Sequence, residues 1–219
     1  MARRARGAPR VRTERWSSCA CRYNIDMSIS TIFFAAPPSS VDSWFRGWSP
    51  PKRVTKKVVN AFTDKTLTIR LLVPESGDGP SAARLPSRTP QFERKFLLPY
   101  CLRPLLGGCD DGWPEGGAEL LAVQDAKAKD KPTKSLVDPI LMRSLEETLH
   151  RLPSVLVTAL AALKEERAKK LARAWSKALV AAEVPYALSP GDAALVLVEL
   201  SKLSRAASGN GLEVFAHVR

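Results

Sequence analysis

Residues 188–219 read LSPGDAALVLVELSKLSRAASGNGLEVFAHVR, and their spacing decides how the whole chain is expected to fold. Ser189 or Asp192 suits an N-cap, and Pro190 suits the first turn, where a missing N–H leaves no bond unmade. Ala194, Leu197, Leu200, Ser201 and Ser204 follow at helical spacing until Gly209-Asn210-Gly211 stops the run. Leu212, Phe215 and Ala216 then predict a further amphipathic helix that reaches Arg219 after barely two turns. Such a helix leaves an apolar face uncovered, which implies either a fragment of a longer array or a second subunit over its end.

Working outward from this unit, Asp138-Pro139 reads as a cap followed by a first-turn proline. Leu141, Leu145, Leu149 and Leu152 then predict an amphipathic helix, with Arg143, Glu146 and Glu147 turned outward. After Pro153-Ser154 a nearly all-apolar helix runs through Val155, Leu156, Ala159, Leu160 and Leu163. The i,i+4 pairs Glu165–Lys169 and Glu166–Lys170 support another through Leu171, Trp175 and Leu179, ended by Pro185. Leu156, Val157, Leu160, Leu163 and Trp175 recur forty positions on as Val196, Leu197, Leu200, Leu203 and Phe215. A period near forty belongs to helix-pair repeats, which stack because one unit cannot bury its own apolar face.

The run from Leu188-Ser189-Pro190-Gly191-Asp192 to Leu203, followed by Gly211-Leu212-Glu213-Val214-Phe215, resembles the helix-pair repeats of octotricopeptide and FASTK-type organellar proteins. The likeness rests on one unit, residues 188–216, with a poorer copy upstream. It implies an α-helical repeat that binds organellar RNA and serves transcript processing, stability, translation or ribosome assembly.

The preceding half reads differently. Residues 1–23 are rich in Arg, poor in acids and contain Ser17-Ser18, the composition of a removable organellar transit peptide, with an RNA-contacting arm and a disordered or non-native leader as the alternatives. Ile29 to Ala36 (ISTIFFAA) is apolar but too short to span a bilayer. Pro37 to Pro51 embeds Trp44, Phe45 and Trp48, for which a helical turn over Val41 to Arg46 is predicted, with Asp42 and Ser43 as caps and packing as the role of the aromatics. Residues 52–60 (KRVTKKVVN) form the densest basic run outside the leader, and residues 66–73 (TLTIRLLV) are the best strand candidate, its partner out of sight or in another chain. Phe92, Phe96, Leu97 and Leu98 suit a turn and a half of helix before Pro99. The glycines from Gly107 to Gly117 do not make a phosphate-cradling loop, because Cys109-Asp110-Asp111 among them puts carboxylates where phosphate would sit. Residues 124–134 (QDAKAKDKPTK) read as a solvated linker and the domain boundary.

The expected architecture is therefore mainly α, with a C-terminal α-α helical-repeat, solenoid-like segment after a largely irregular Pro/Gly-rich half with little strand. Its expected divisions are 1–23, 24–134 and 135–219. The net charge is +12, and residues 1–60 supply +9 of it, with twelve Lys/Arg against three Asp/Glu. The helical tail is near neutral, so the nucleic-acid candidates are local clusters: Lys52, Arg53, Lys56 and Lys57 in the basic run, and Lys169, Lys170 and Arg173 on the helix. Cys19, Cys21, Cys101 and Cys109 lack metal-ligand spacing and read as reduced, unpaired thiols, so no metal or cofactor is expected. His150 and His217 read as ordinary, partly buried helix residues, and no nucleophile-base set is seen. The expectation is a non-enzymatic, organellar (mitochondrial or plastid) RNA-associated protein, with a structural or assembly subunit of an organellar complex as the alternative and an enzyme as a remote one. RNA and other protein subunits are its expected partners; no membrane span and no small-molecule substrate are inferred.

Overall fold

Strand β1, Ser30–Ala36 (STIFFAA), lies at the heart of the structure. It comprises β-branched and aromatic residues next to small ones, and every position but Ile32 is buried. The computed structural model describes residues 29–59, 66–75, 83, 85–106, 136, 138–144 and 146–219. The leader 1–23, the glycine-rich run 107–117, the linker 124–134 and three of the four cysteines lie outside the described residues.

In chain order the described elements are β1, helix α1 (Pro38–Trp44), β2 (Pro51–Val59), β3 (Thr66–Pro74), β4 (Gln91–Lys95), a 3-10 segment (Pro99–Leu106), β5 (Leu141–Met142), β6 (Thr148–Arg151), α2 (Ser154–Ala161), α3 (Glu165–Ala181), α4 (Pro190–Gly209) and β7 (Glu213–Val218). Five strands form an antiparallel sheet in the order β4-β1-β7-β6-β5, and β2-β3 form a separate two-stranded ribbon. This is a mixed α/β fold with its long helices on one face of the sheet.

Side chains leave a strand alternately, so β1 feeds two cores. Phe33 and Ala35, with Val214 and Ala216 of β7, pack under the helices against Leu156, Leu160, Trp175, Leu197 and Leu200. Phe34, Ala36, Phe215 and Leu149 point the other way, where Val41, Phe45 and Trp48 cover them. Each such large side chain stabilises the fold by roughly 1.5–3 kcal/mol on burial. Polar ties fix the helical layer: the Trp175 indole donates to the Cys101 carbonyl at 2.7 Å, and the Ser176 hydroxyl donates to the Leu188 carbonyl at 2.6 Å. Burial pushes the Cys101 thiol up to about 11, so it is an apolar filler rather than a reactive group.

Several sequence expectations hold. Helices α2, α3 and α4 form, Ser189 accepts from the Asp192 amide as the α4 cap, and Gly211 at φ +63° turns the chain after it. The strand at 66–73 is β3, and α1 supplies the predicted helical turn with Trp48 and Phe45 packed into the core. Its caps are not Asp42 and Ser43; Pro37 holds the N-cap position, and Ser43 donates to the Ser40 carbonyl.

The mainly-α, solenoid-like expectation is overturned by the sheet. Residues 141–152 are not a helix but β5, a turn and β6, because Leu141 and Leu149 are cross-strand partners. The Ser144 hydroxyl caps that turn by accepting from the amides of Glu146 and Glu147, and Asp138 pairs with Arg53 rather than capping a helix. Residues 213–218 are β7, not the second helix of a repeat, and its Val- and Phe-rich run suits a strand buried on both faces. Residues 91–95 are β4, not helix; Phe92 stacks on Phe33 at 5.1 Å, and the chain leaves the strand through Phe96 at φ 58°. The half expected to be irregular thus holds four strands, and the partner sought for β3 is the basic run itself, β2.

Candidate nucleic-acid interface

The β2-β3 ribbon is rich in Val, Thr, Leu and Ile, which favour extended backbone, with Lys and Arg set among them, mostly on β2. The register pairs Arg53 with Leu72, Thr55 with Arg70 and Lys57 with Thr68 on one face. The opposite face carries Val54, Val58, Ile69, Leu71 and Val73, with Lys52 and Lys56 among them. Nine residues per strand make an arm about 30 Å long. Its two strands contain five Lys/Arg and no Asp/Glu.

Among the described residues the arm's polar anchors lie at its root. Ser49 and Met142 exchange backbone hydrogen bonds of 3.0 and 2.7 Å, the Ser49 hydroxyl accepts from the Glu75 amide, and Arg53 reaches Asp138 at 2.7 Å. Among the described residues Lys52, Lys56, Lys57 and Arg70 form no ion pair, and all four are exposed. Four like charges without local compensation repel one another and attract a polyanion. Arg70, which sequence reading saw only as a strand residue, joins the cluster through its register opposite Thr55.

Lys169, Lys170 and Arg173 lie elsewhere, on the exposed side of α3 with Lys177. Lys169 is paired with Glu165 at 3.3 Å, with both side chains largely exposed, a contact worth at most a few tenths of a kcal/mol. The seven sequence candidates therefore fall on two separate elements, and the ribbon holds the denser group.

A second feature sits on the sheet face away from the long helices. A cleft of about 460 Å³ is lined by Ile32, Ala83, Leu85, Gln91, Phe92, Glu93, His217 and Arg219. His217 stands opposite Ile32, which in turn stands opposite Glu93, so the three form one row across β7, β1 and β4. The rings of Phe45 and Trp48 meet the His217 imidazole edge-on at 5.3 Å, and burial, with a smaller contribution from Arg219, lowers its pKa to about 4. Glu93 accepts from Arg219 at 3.0 Å, and the Ser30 hydroxyl and that guanidinium hold its carboxyl below the ordinary range.

No protein-family model, curated protein or solved structure matches this chain.

His217 was read as a helix residue, and only its place on a strand brings it beside Ile32 and Glu93. Among the described residues no helix is long and apolar enough to cross a membrane.

Proposed function

We propose that this protein is an RNA-associated subunit that acts by binding rather than catalysis, and that the β2-β3 arm is the surface it presents to phosphates. The observation that carries the reading is the charge of the arm: five cations and no carboxylate on two paired strands, with four of the cations exposed and unpaired among the described residues. Lys57 and Arg70 share the polar face with Thr55 and Thr68, whose hydroxyls also serve phosphate oxygens. The exposed α3 residues Lys169, Lys170 and Arg173 make a second, weaker contact. The Arg-rich, transit-like composition of residues 1–23 makes an organelle the proposed place of action, and its transcripts or ribosome the proposed targets. Retention of the full chain on RNA over a salt series tests this: affinity falls steeply with salt, and Lys57→Gln with Arg70→Gln flattens the dependence.

A second reading, a structural or assembly subunit of an organellar complex, draws on the other face of the same arm. Val58 is 43% exposed and Ile69 37%, an apolar strip without a cover among the described residues. Under this reading Val58→Thr with Ile69→Thr frees the protein from the particle with which it sediments while RNA retention is unchanged. Under the first, the arm lysines and not the valine and isoleucine decide association.

A further inference from the structure

Ile32 is the one half-buried position in an otherwise buried central strand. The cover made by Val41, Phe45 and Trp48 protects Phe34, Ala36 and Phe215 and stops short of it. The cleft over Ile32 has a consistent chemical character. Its walls are apolar where Ile32, Leu85, Ala83 and Phe92 meet it. Among the described residues its polar groups are Gln91, the Glu93–Arg219 pair and His217. His217 is only 5% exposed, and neither of its ring nitrogens has a hydrogen-bond partner among the described residues. Both nitrogens are closed to solvent, and a buried imidazole left unpaired costs roughly 1–3 kcal/mol, a cost that a cleft ligand offsets once the ring turns to meet it.

The charge balance narrows the ligand. The carboxylate of Glu93 and the guanidinium of Arg219 neutralise each other at 3.0 Å, and the imidazole is uncharged at neutral pH. A phosphate or carboxylate would meet Glu93, and an ammonium would meet Arg219. An uncharged, flat group with apolar faces and an edge of donors and acceptors suits both walls and polar atoms. Gln91 offers an amide donor and acceptor together, Glu93 accepts, and a neutral histidine offers one donor and one acceptor. The volume falls within the range of small-ligand pockets.

We propose that this cleft receives a single unpaired nucleobase of the RNA whose phosphates the arm holds. The proposal rests on the RNA-binding reading for its source of bases, and on the cleft alone for its chemistry. Single-stranded segments are read in this way, by bases turned out of the stack and hydrogen-bonded at their edges. The arm then supplies affinity without sequence, and the cleft supplies preference for a base.

The test uses the full chain and the four ribonucleosides, which carry the base without phosphate. The imidazole resonances of His217 are followed by NMR, with His150→Gln to assign the two histidines. Saturable movement of the His217 signals by at least one nucleoside, independent of salt, is expected. Gln91→Leu, on an exposed edge-strand position, weakens that nucleoside about 5-fold or more and lowers RNA affinity without changing its salt slope. Glu93→Gln changes which nucleoside is preferred, and thermal melting shows that both variants are folded. If no nucleoside moves His217 up to about 10 mM, beyond which binding is weaker than specific ligands show, the base site is overturned while the arm stands. If nucleosides move His217 but no RNA is retained at low salt, the base chemistry stands and the arm reading is overturned.

Discussion

Arg53 and Asp138, 85 residues apart, form an ion pair of 2.7 Å at the root of the basic arm. Arg53 is 66% exposed and Asp138 24%, so the pair contributes under about 1 kcal/mol to stability. Its larger effect is on the field of the arm, where it cancels one of five cations. Asp138→Asn therefore leaves thermal stability nearly unchanged and strengthens RNA binding at low salt. The slope of log affinity against log salt steepens by about 0.7 for a single strand. Weaker binding by Asp138→Asn in an anisotropy titration contradicts this assignment.

The buried imidazole of His217 makes stability depend on pH in a defined window. Its folded pKa, about 4, lies below the ordinary histidine value of 6.5. The unfolded chain therefore binds the proton more readily, and the stabilisation present above the unfolded value is lost as pH falls toward the folded one. The expected loss is on the order of 2 kcal/mol between about pH 7 and pH 5. Glu93 and Asp192, both with lowered carboxyl pKa values, add their losses only as the pH falls on through the carboxylate range. Urea melts of the wild type show a falling midpoint from pH 7 to 5, and His217→Gln removes most of that slope. An unchanged slope in the variant assigns the effect elsewhere.

Trp175 ties helix α3 to the 3-10 segment through its indole N–H and the Cys101 carbonyl. Trp175→Phe keeps an aromatic ring in place but leaves that carbonyl without its donor. It is expected to cost roughly 1–3 kcal/mol, plus the loss from a smaller ring. Chemical denaturation of the two proteins reads this directly, and a change under about 0.5 kcal/mol would show the bond to be dispensable.

Leu149 lies opposite His217 on one side of β6 and opposite Leu141 on the other. Leu149→Ala opens a hole between the β5-β6 hairpin and the Phe34, Phe45 and Phe215 cluster, with an expected loss of roughly 2–5 kcal/mol, as for a buried leucine in general. The exposed Leu195 on α4 is the control, with almost no loss on substitution by Ala. Equal, small effects at both positions contradict the strand register.

The helices were legible because their signals are local. Ser189, Pro190 and Asp192 open α4, Gly209-Asn210-Gly211 closes it, and Glu165–Lys169 marks α3. The strands were hidden for two physical reasons. Leu141 and Leu149 are eight residues apart, close to two helical turns, and nothing in that spacing reports the turn that folds Leu149 back opposite Leu141. β1 and β7 are buried on both faces, so neither shows the polar-apolar alternation that marks a strand with one wet face. The basic run at 52–57 was visible as charge, but its pairing with β3, and hence the recruitment of Arg70, depends on register. The cleft was not legible at all: Ile32, Glu93 and His217 meet only through pairings between distant strands.

The role of the arm is measured most directly by the salt dependence of RNA binding by the full chain, with the arm intact and with Lys52, Lys56, Lys57 and Arg70 all changed to Gln. The intact arm is predicted to give a steep slope, and the fourfold variant a slope shallower by up to about 2.8, at 0.7 per cation on a single strand. The variant should melt within about 1 kcal/mol of the parent, since these side chains are exposed and form no ion pair among the described residues. Equal slopes for the two folded proteins, or no RNA retained by either at low salt, would contradict the assignment of the arm as a phosphate-binding surface.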